Sequence, residues 1–242
     1  MNTKDNNRLA RKVFTLASVD STNEYSKRML SNTKPAEGTV IVAHEQTAGK
    51  GQFGKKWESA QGKNLTFSVV LYPHFLEAAH AHRLNQAVCV ALHDFFKSTG
   101  IDTRIKWPND IYHNDSKISG ILIENALMKE HLSYSVAGIG INVNQDVFSP
   151  EIPNPVSMKK ITGKTFELSG LIHSFISSLE KHYIRLKSGD YPAIRVAYQS
   201  LLYKLHEKRT FATVAENFEG ITRGVDESGR LLVEVNGTVR HL

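Results

Sequence analysis

Gly49-Lys50-Gly51-Gln52-Phe53-Gly54-Lys55-Lys56 satisfies two nucleotide-binding patterns at once. It reads as G-x-G-x-x-G, the dinucleotide fingerprint. It also reads as G-x-x-x-x-G-K, but Lys56 stands where a P-loop needs Ser or Thr to hold magnesium. Both patterns need a helix straight after the loop, so that its N-terminus faces the phosphates. This loop instead runs through Trp57 and Gly62 into Leu65–Tyr72, an apolar and β-branched stretch that reads as a strand. No acidic residue is placed about twenty residues on to read a ribose. Both nucleotide folds fail on context. What the loop keeps is glycines that let backbone N–H groups approach a ligand, with Lys50, Lys55 and Lys56 beside them. A cationic loop that orders over a polyanion fits those facts, and a merely mobile surface loop is the alternative.

Working outward, Val13–Leu16 reads as a short strand and Asp20-Ser21-Thr22-Asn23-Glu24 as a helix entry, with Ser21 as N-cap and Glu24 three residues on. Thr39–Ala43 reads as a buried strand. His80–Thr99 is an amphipathic helix stopped by Gly100. Thr103–Trp107, Ile111–Tyr112 and Lys117–Glu124 look extended, with Pro108 and the turn residues His113–Ser116 between them. Tyr134–Val143 is a further extended run, broken by Gly138 and Gly140. Leu168–Leu186 and Ala193–Leu205 read as helices, the second following Pro192. Thr210–Val214, Glu219–Val225 and Leu231–Val235 then form short strands separated by turns such as Ser228-Gly229 and Asn236-Gly237. Hairpins mixed with helices, without βαβ alternation, predict an α+β fold. The boundary falls between a main domain at 1–205 and a small β-barrel at 206–242, which is too short for a large core of its own.

The 242 residues are 40% hydrophobic and 22% charged, ordinary for a globular protein with a real core. A net charge of +6 favours anionic partners such as nucleotides, nucleic acids or acidic proteins, without choosing among them. One cysteine, Cys89, in an apolar stretch excludes a disulfide framework and a cysteine zinc site. The polar start lacks the apolar core of a signal peptide, and no apolar run approaches the ~20 residues of a membrane span. The expectation is a cytoplasmic protein without a membrane partner.

Two more clusters stand out. Lys106-Trp107-Pro108-Asn109-Asp110, followed by Lys117-Ile118-Ser119-Gly120, places an amide, a carboxylate and a lysine at the ends of adjacent strands. Singly, each has a bland reading as solvated charge, core or turn. Together they suit a metal-bound nucleotide, with the carboxylate near magnesium and the lysine near a phosphate or carboxylate oxygen. In Gly138-Ile139-Gly140-Ile141-Asn142, glycines within a strand mark either a bulge or a ligand close to the backbone.

In this order, Asp20–Asn23, Gln46–Gly51 with Gly54 and Trp57, KWPND, Lys117–Leu122 and Gly138–Asn142 resemble the biotin–protein ligase family, covering the chain from about Phe14 to Asn144. The resemblance implies a mixed β-sheet flanked by helices, like class II aminoacyl-tRNA synthetases, with a small SH3-like C-terminal domain. It implies activation of biotin by Mg2+-ATP to biotinyl-5′-AMP, then transfer to a lysine of a biotin carboxyl carrier protein. Carried over residue by residue, Ser21, Thr22, Asn23, Gln46, Lys50, Gly51, Gln52, Lys117, Gly138 and Gly140 make up the biotin set. Lys50, Gly51, Gln52, Trp57, Asn109 and Asn142 make up the ATP set. Lys117 neutralises the reacting carboxylate and phosphate; Asp110 serves magnesium or the acceptor lysine.

Two departures from the family pattern matter. Gln52 stands where many members carry Arg, and this neutral side chain would hold the adenylate less tightly unless Lys55 or Lys56 substitutes. Only a dozen or so residues precede the first core strand, too few for the helix-turn-helix of the family's repressors, so the type expected is monofunctional. The nearest rival is a lipoate or octanoate ligase or transferase of related fold. Such a ligand, lacking a ureido ring, would leave the Ser21-Thr22-Asn23 groups unpaired. A nucleic-acid module lacks a recognition helix or a dense basic run, so no specific DNA partner is expected. A non-catalytic adaptor is countered by Lys117, Asn109 and Asp110. The expected assembly is a monomer or a weak homodimer.

Overall fold

The computed structural model describes residues 9, 12–213 and 216–242. In chain order it contains β1 (Val13–Leu16), α1 (Thr22–Asn32), β2 (Val40–Ala43), β3 (Leu65–Leu71), α2 (His82–Ser98), β4 (Arg104–Lys106), β5 (Asp110–His113), β6 (Ser116–Met128) and β7 (His131–Ile141). Then come α3 (Met158–Thr162), α4 (Leu168–Lys187), α5 (Tyr191–Ser200), β8 (Lys208–Ala212), β9 (Asn217–Val225), β10 (Leu231–Val235) and β11 (Thr238–His241). The first seven strands form one sheet, ordered β1-β2-β3-β7-β6-β5-β4, and the last four a separate sheet, ordered β11-β10-β9-β8. Only the β1–β2 pair of the large sheet is parallel, so the sheet is mixed and the fold is α+β. Among the described residues no helix is long and apolar enough to cross a membrane.

The period-two pattern of β3 divides the molecule. Leu65, Phe67, Val69 and Leu71 join the core with Leu84, Val88, Leu92 and Phe95 of α2 and Leu171, Phe175 and Leu179 of α4. Phe175 meets Phe67 and Phe95 edge-on at 5.4 and 6.2 Å, a geometry the ring quadrupoles favour. The alternate residues Thr66 and Ser68 face the other side, where α1 lies and Ser68 Oγ reaches Thr22. One face is therefore sealed by helices, and the other is left to build a site.

Several elements differ from their sequence reading. The helix expected over His80–Thr99 starts at His82, after a 3-10 turn at Ala78–His80, and ends ahead of Gly100, whose φ of +82° suits glycine. The one expected over Ala193–Leu205 runs Tyr191–Ser200 instead. Beyond it, the chain lies along β4, with Ile105 N donating to Leu201 O at 2.8 Å and Tyr203 N to Ile105 O at 2.8 Å. Pairing there covers that sheet edge. β7 passes unbroken through Gly138 and Gly140, in regular register with both neighbours, so neither glycine breaks the strand or forms a bulge. The expected strand Thr210–Val214 is shifted to Lys208–Ala212, with Val214 outside the described residues. The sequence reading missed β11, which follows the Asn236-Gly237 turn, where both residues have positive φ.

Candidate active site

A cavity of about 690 Å³ opens on the α1 face of the large sheet, and every candidate residue of the sequence reading lines it. Register explains much of this. Thr66 pairs with Gly140, Gly140 with Gly120, Gly120 with Asp110, and Asp110 with Lys106. Five strands thus present one row on the cavity face. At Gly140 a Cβ would collide with the Trp57 ring, and at Gly120 it would lie 3.0 Å from Trp57 and 3.2 Å from Lys117 Nζ. At Gly138 a Cβ would collide with Asn23. The glycines are a floor for Trp57 and Asn23, so what comes close to the backbone is a side chain rather than the bulge or the ligand that the sequence reading offered.

Lys117 reaches this face because of a bulge. The β5–β6 register slips between Ile111 and Tyr112, so that Ser119 pairs with Ile111 but Lys117 pairs with Tyr112. The slip turns Ile118 into the core and Lys117 into the cavity, the re-aiming that bulges produce beside sites. Lys117 Nζ lies 2.7 Å from Asp110 Oδ1 and 5.6 Å from the centre of the Trp57 ring. Asn109 is buried and donates its Nδ2 to Ile121 O, while Ile121 N bonds Asn109 O at 3.2 Å. Pro108 O receives Asn85 Nδ2 at 2.8 Å and Tyr198 Oη at 3.1 Å, so helices α2 and α5 fix the turn that carries Asn109 and Asp110. Asn142 Nδ2 bonds Lys117 O at 3.4 Å.

At the other end of the cavity, Gln46 Oε1 accepts from Thr22 N at 2.8 Å and Thr22 Oγ1 at 3.1 Å. Asn23 donates Nδ2 to Leu122 O at 3.2 Å and Glu124 Oε2 at 2.8 Å, and its Oδ1 lies 2.6 Å from Ser68 Oγ. Asn23 is thus a strut as well as a lining residue. Ser21 occupies the N-cap position but its side chain makes no capping bond, so the capping box expected with Glu24 is not formed. The Glu24 carboxylate instead binds Lys27 at 2.9 Å and Lys50 at 2.5 Å, and these two bonds hold its pKa below the usual range. Ser21 Oγ stays available to the cavity. The glycine loop is folded on itself, with Gly51 N bonding Lys55 O at 2.7 Å and Trp57 N bonding Gly49 O at 2.9 Å.

Residues 15–142 match the model of the biotin/lipoate A/B protein ligase family. The chain belongs to that family. It is 31% identical over 228 residues to the bifunctional ligase/repressor BirA of Bacillus subtilis, covering 93% of this chain and 70% of that protein. Against the biotin–[acetyl-CoA-carboxylase] ligase of Paracoccus denitrificans it is 28% identical over 225 residues, covering 90% and 92%. Its fold superposes on the biotin protein ligase of Aquifex aeolicus in complex with biotin and ATP with a TM-score of 0.82 at 27% identity, covering 96% of this chain and 95% of that one.

Some of the wall was not legible from motifs. The segment after β7 folds back so that Phe148, Glu151, Ile152, Pro153 and Pro155 line the cavity, tied to Lys117 by its N bonding Asn154 O at 2.7 Å and by Val156 N bonding Lys117 O at 3.0 Å. Its sequence signal is slight: apolar residues Val147, Phe148 and Ile152 within a proline-rich loop. Phe53, 92% exposed with a φ of +55°, sits at the tip of the glycine loop on the same rim. Trp107 behaves differently from its neighbours: its Nε1 donates to Gly229 O, in the turn between β9 and β10, at 2.9 Å.

Proposed function

We propose that this chain is a biotin–protein ligase that joins biotin to ATP in the cavity and passes it to a lysine of a biotin carboxyl carrier domain. The observation that carries the reading is the Lys117–Asp110 pair set beside Trp57, in one cavity with the Thr22–Gln46 cluster and the folded glycine loop. Biotin's carboxylate oxygen attacks the α-phosphorus. The bond from that phosphorus to the β-bridging oxygen breaks, and its electron pair leaves on pyrophosphate. The carrier amine then attacks the acyl carbon of biotinyl-5′-AMP, the amide forms, and AMP departs.

Such a reaction needs positioning and charge neutralisation more than covalent help from the protein. Lys117 is the cation at the junction. Thr22 occupies the Gln46 carbonyl, which leaves the Gln46 amine to donate to a ureido carbonyl. Ser21, Thr22, Asn23, Gly138 and Gly140 line the biotin end. Lys50, Gly51 and Gln52 cover the intermediate, and Trp57, Asn109 and Asn142 serve the nucleotide. Magnesium fits as a companion of the nucleotide: such ions take one or two carboxylates with substrate phosphates and water, and Asp110 supplies a carboxylate at the wall. The alternative role for Asp110 is to orient the incoming carrier amine in place of magnesium. Residues 1–205 form the catalytic domain and 206–242 the SH3-like one, in a cytoplasmic enzyme.

The Gln46 cluster favours biotin over the family's other acyl substrates, because Thr22 and Asn23 already have partners and lipoate or octanoate would offer none to the Gln46 amine and Ser21 Oγ. The test is exchange of labelled pyrophosphate into ATP. Exchange with biotin, absent with lipoate and octanoate, is expected; exchange with lipoate or octanoate alone overturns the reading.

A further inference from the structure

Lys106 has no part in the chemistry above, yet it continues the row that carries the site. It is the register partner of Asp110 one strand further out, and it lines the same cavity. Its Nζ lies 4.8 Å from the centre of the Tyr112 ring and 3.2 Å from Tyr112 Oη. Tyr112 meets Tyr203 edge-on at 5.2 Å, and the Arg209 guanidinium sits 5.8 Å from the Tyr203 ring and 4.5 Å from that of Phe211. Two cations, one from each sheet, therefore flank a pair of tyrosines.

Neither cation has an acid. Among the described residues Lys106 and Arg209 make no ion pair, and Arg209 Nε is buried without a hydrogen-bond partner. Lys204 beside them is neutralised by Asp115 at 2.9 Å. Burial lowers the pKa of both Lys106 and Arg209; for Lys106, Arg209 and Lys204 lower it further, against the pull of Asp110. Arg209 is half-buried, so its uncompensated charge is costly; Lys106 is exposed and offers an arriving anion a cation with no ion-pair partner among the described residues.

The place of the pair selects the anion. Neighbouring strands lie about 5 Å apart, so Lys106 is one such step beyond Asp110, whose carboxylate holds Lys117. A diphosphate attached to an α-phosphorus at Lys117 spans that step. We propose that Lys106, supported by Arg209, binds the β- and γ-phosphates of ATP and so receives the pyrophosphate leaving group. This rests on the adenylation reading above and adds no covalent step. The electron pair of the broken phosphorus–oxygen bond leaves on pyrophosphate, and Lys106 stabilises that charge from the cavity wall, with Arg209 outside the lining and behind Tyr203.

The experiment uses the full chain and separates the half-reactions. Lys106→Gln, Lys106→Arg and Arg209→Gln are compared with the unaltered chain in biotin-dependent pyrophosphate–ATP exchange, and in transfer from preformed biotinyl-5′-AMP to a carrier domain. Hydrogen bonds to charged groups typically contribute enough for a change of roughly ten-fold or more. Lys106→Gln is expected to raise KM for both ATP and pyrophosphate by about that factor, with Lys106→Arg restoring most of it. Arg209→Gln shifts the same constants in the same direction. KM for biotin and the transfer step stay unchanged. Unchanged ATP and pyrophosphate constants in Lys106→Gln overturn the proposal, and a raised KM for the carrier alone assigns the pair to an acidic acceptor surface instead. Lys106 is solvent-accessible, so its variants decide the matter even if Arg209→Gln fails to fold. Absence of exchange in the unaltered chain removes the adenylation reading and this proposal with it, a result distinct from any seen in the variants alone.

Discussion

At the scale of single residues, the site depends on what glycine lacks. Gly140 and Gly120 present bare backbone to Trp57, and Gly138 does the same for Asn23. Gly140→Ala places a methyl group inside the Trp57 ring, so the indole must leave its seat. KM for ATP is expected to rise by up to about ten-fold, the effect of one lost stacking contact, while KM for biotin changes less. Gly138→Ala should reverse that ranking, and the pair of Michaelis constants checks both. Gln52 is the other informative position. It lines the cavity from the glycine loop and brings neutral donors where many family members carry Arg. Gln52→Arg is expected to slow release of biotinyl-5′-AMP by about ten-fold, the worth of a charge-assisted hydrogen bond to phosphate. An unchanged release rate in a trapping assay would mean that Lys50, Lys55 or Lys56 already supplies the charge.

At the scale of elements, the sequence reading succeeded where pattern and structure share a local cause. β2 and β3 are legible as short apolar runs because both faces are buried, and α4 from periodicity because one face meets the core. The glycine loop is legible because its own context rules out a helix. What stayed hidden has non-local causes. The β5–β6 bulge that aims Lys117 depends on a partner strand, and no residue of β6 announces it. The wall at Phe148 and Ile152 exists because the chain after β7 pairs back against Lys117. The tie from Trp107 to the small sheet is likewise invisible, since the KWPND run draws attention to ligands. That tie yields a prediction. Trp107→Phe keeps an aromatic ring but loses the indole's second ring and the donor to Gly229 O, and should lower unfolding free energy by at least about 1 kcal/mol, the net worth of the hydrogen bond alone. Urea denaturation measures it. Because Trp107 adjoins Pro108, whose carbonyl is held by Asn85 and Tyr198, adenylation should suffer less than stability.

At the scale of the whole molecule, the helical layer carries buried imidazoles whose protonation opposes folding. Burial lowers the pKa of His82, His93 and His182. For His182 burial prevails over its 2.8 Å bond to Asp94. A folded-state pKa below the unfolded value near 6.5 means that the unfolded chain binds these protons first. Their cost is absent above that pH, and stability falls as the pH drops from about 6.5 through the lowered values. Denaturation midpoints at pH 7.5 and 5.0 should show the loss, and His182→Gln should reduce it; a midpoint that rises on acidification contradicts the account. The other face of the sheet serves chemistry rather than stability. It aligns Gly140, Gly120, Asp110 and Lys106 across four strands, with the small sheet adjoining through Trp107 and Tyr203. The most direct measurement of what that face does is mass spectrometry of a biotin carboxyl carrier domain incubated with the chain, biotin and Mg-ATP, with released nucleotide quantified in parallel. One lysine should gain biotin less water, with one AMP per modification, and Lys117→Ala should abolish both; modification by lipoate in place of biotin, or ADP as the product, would contradict the account.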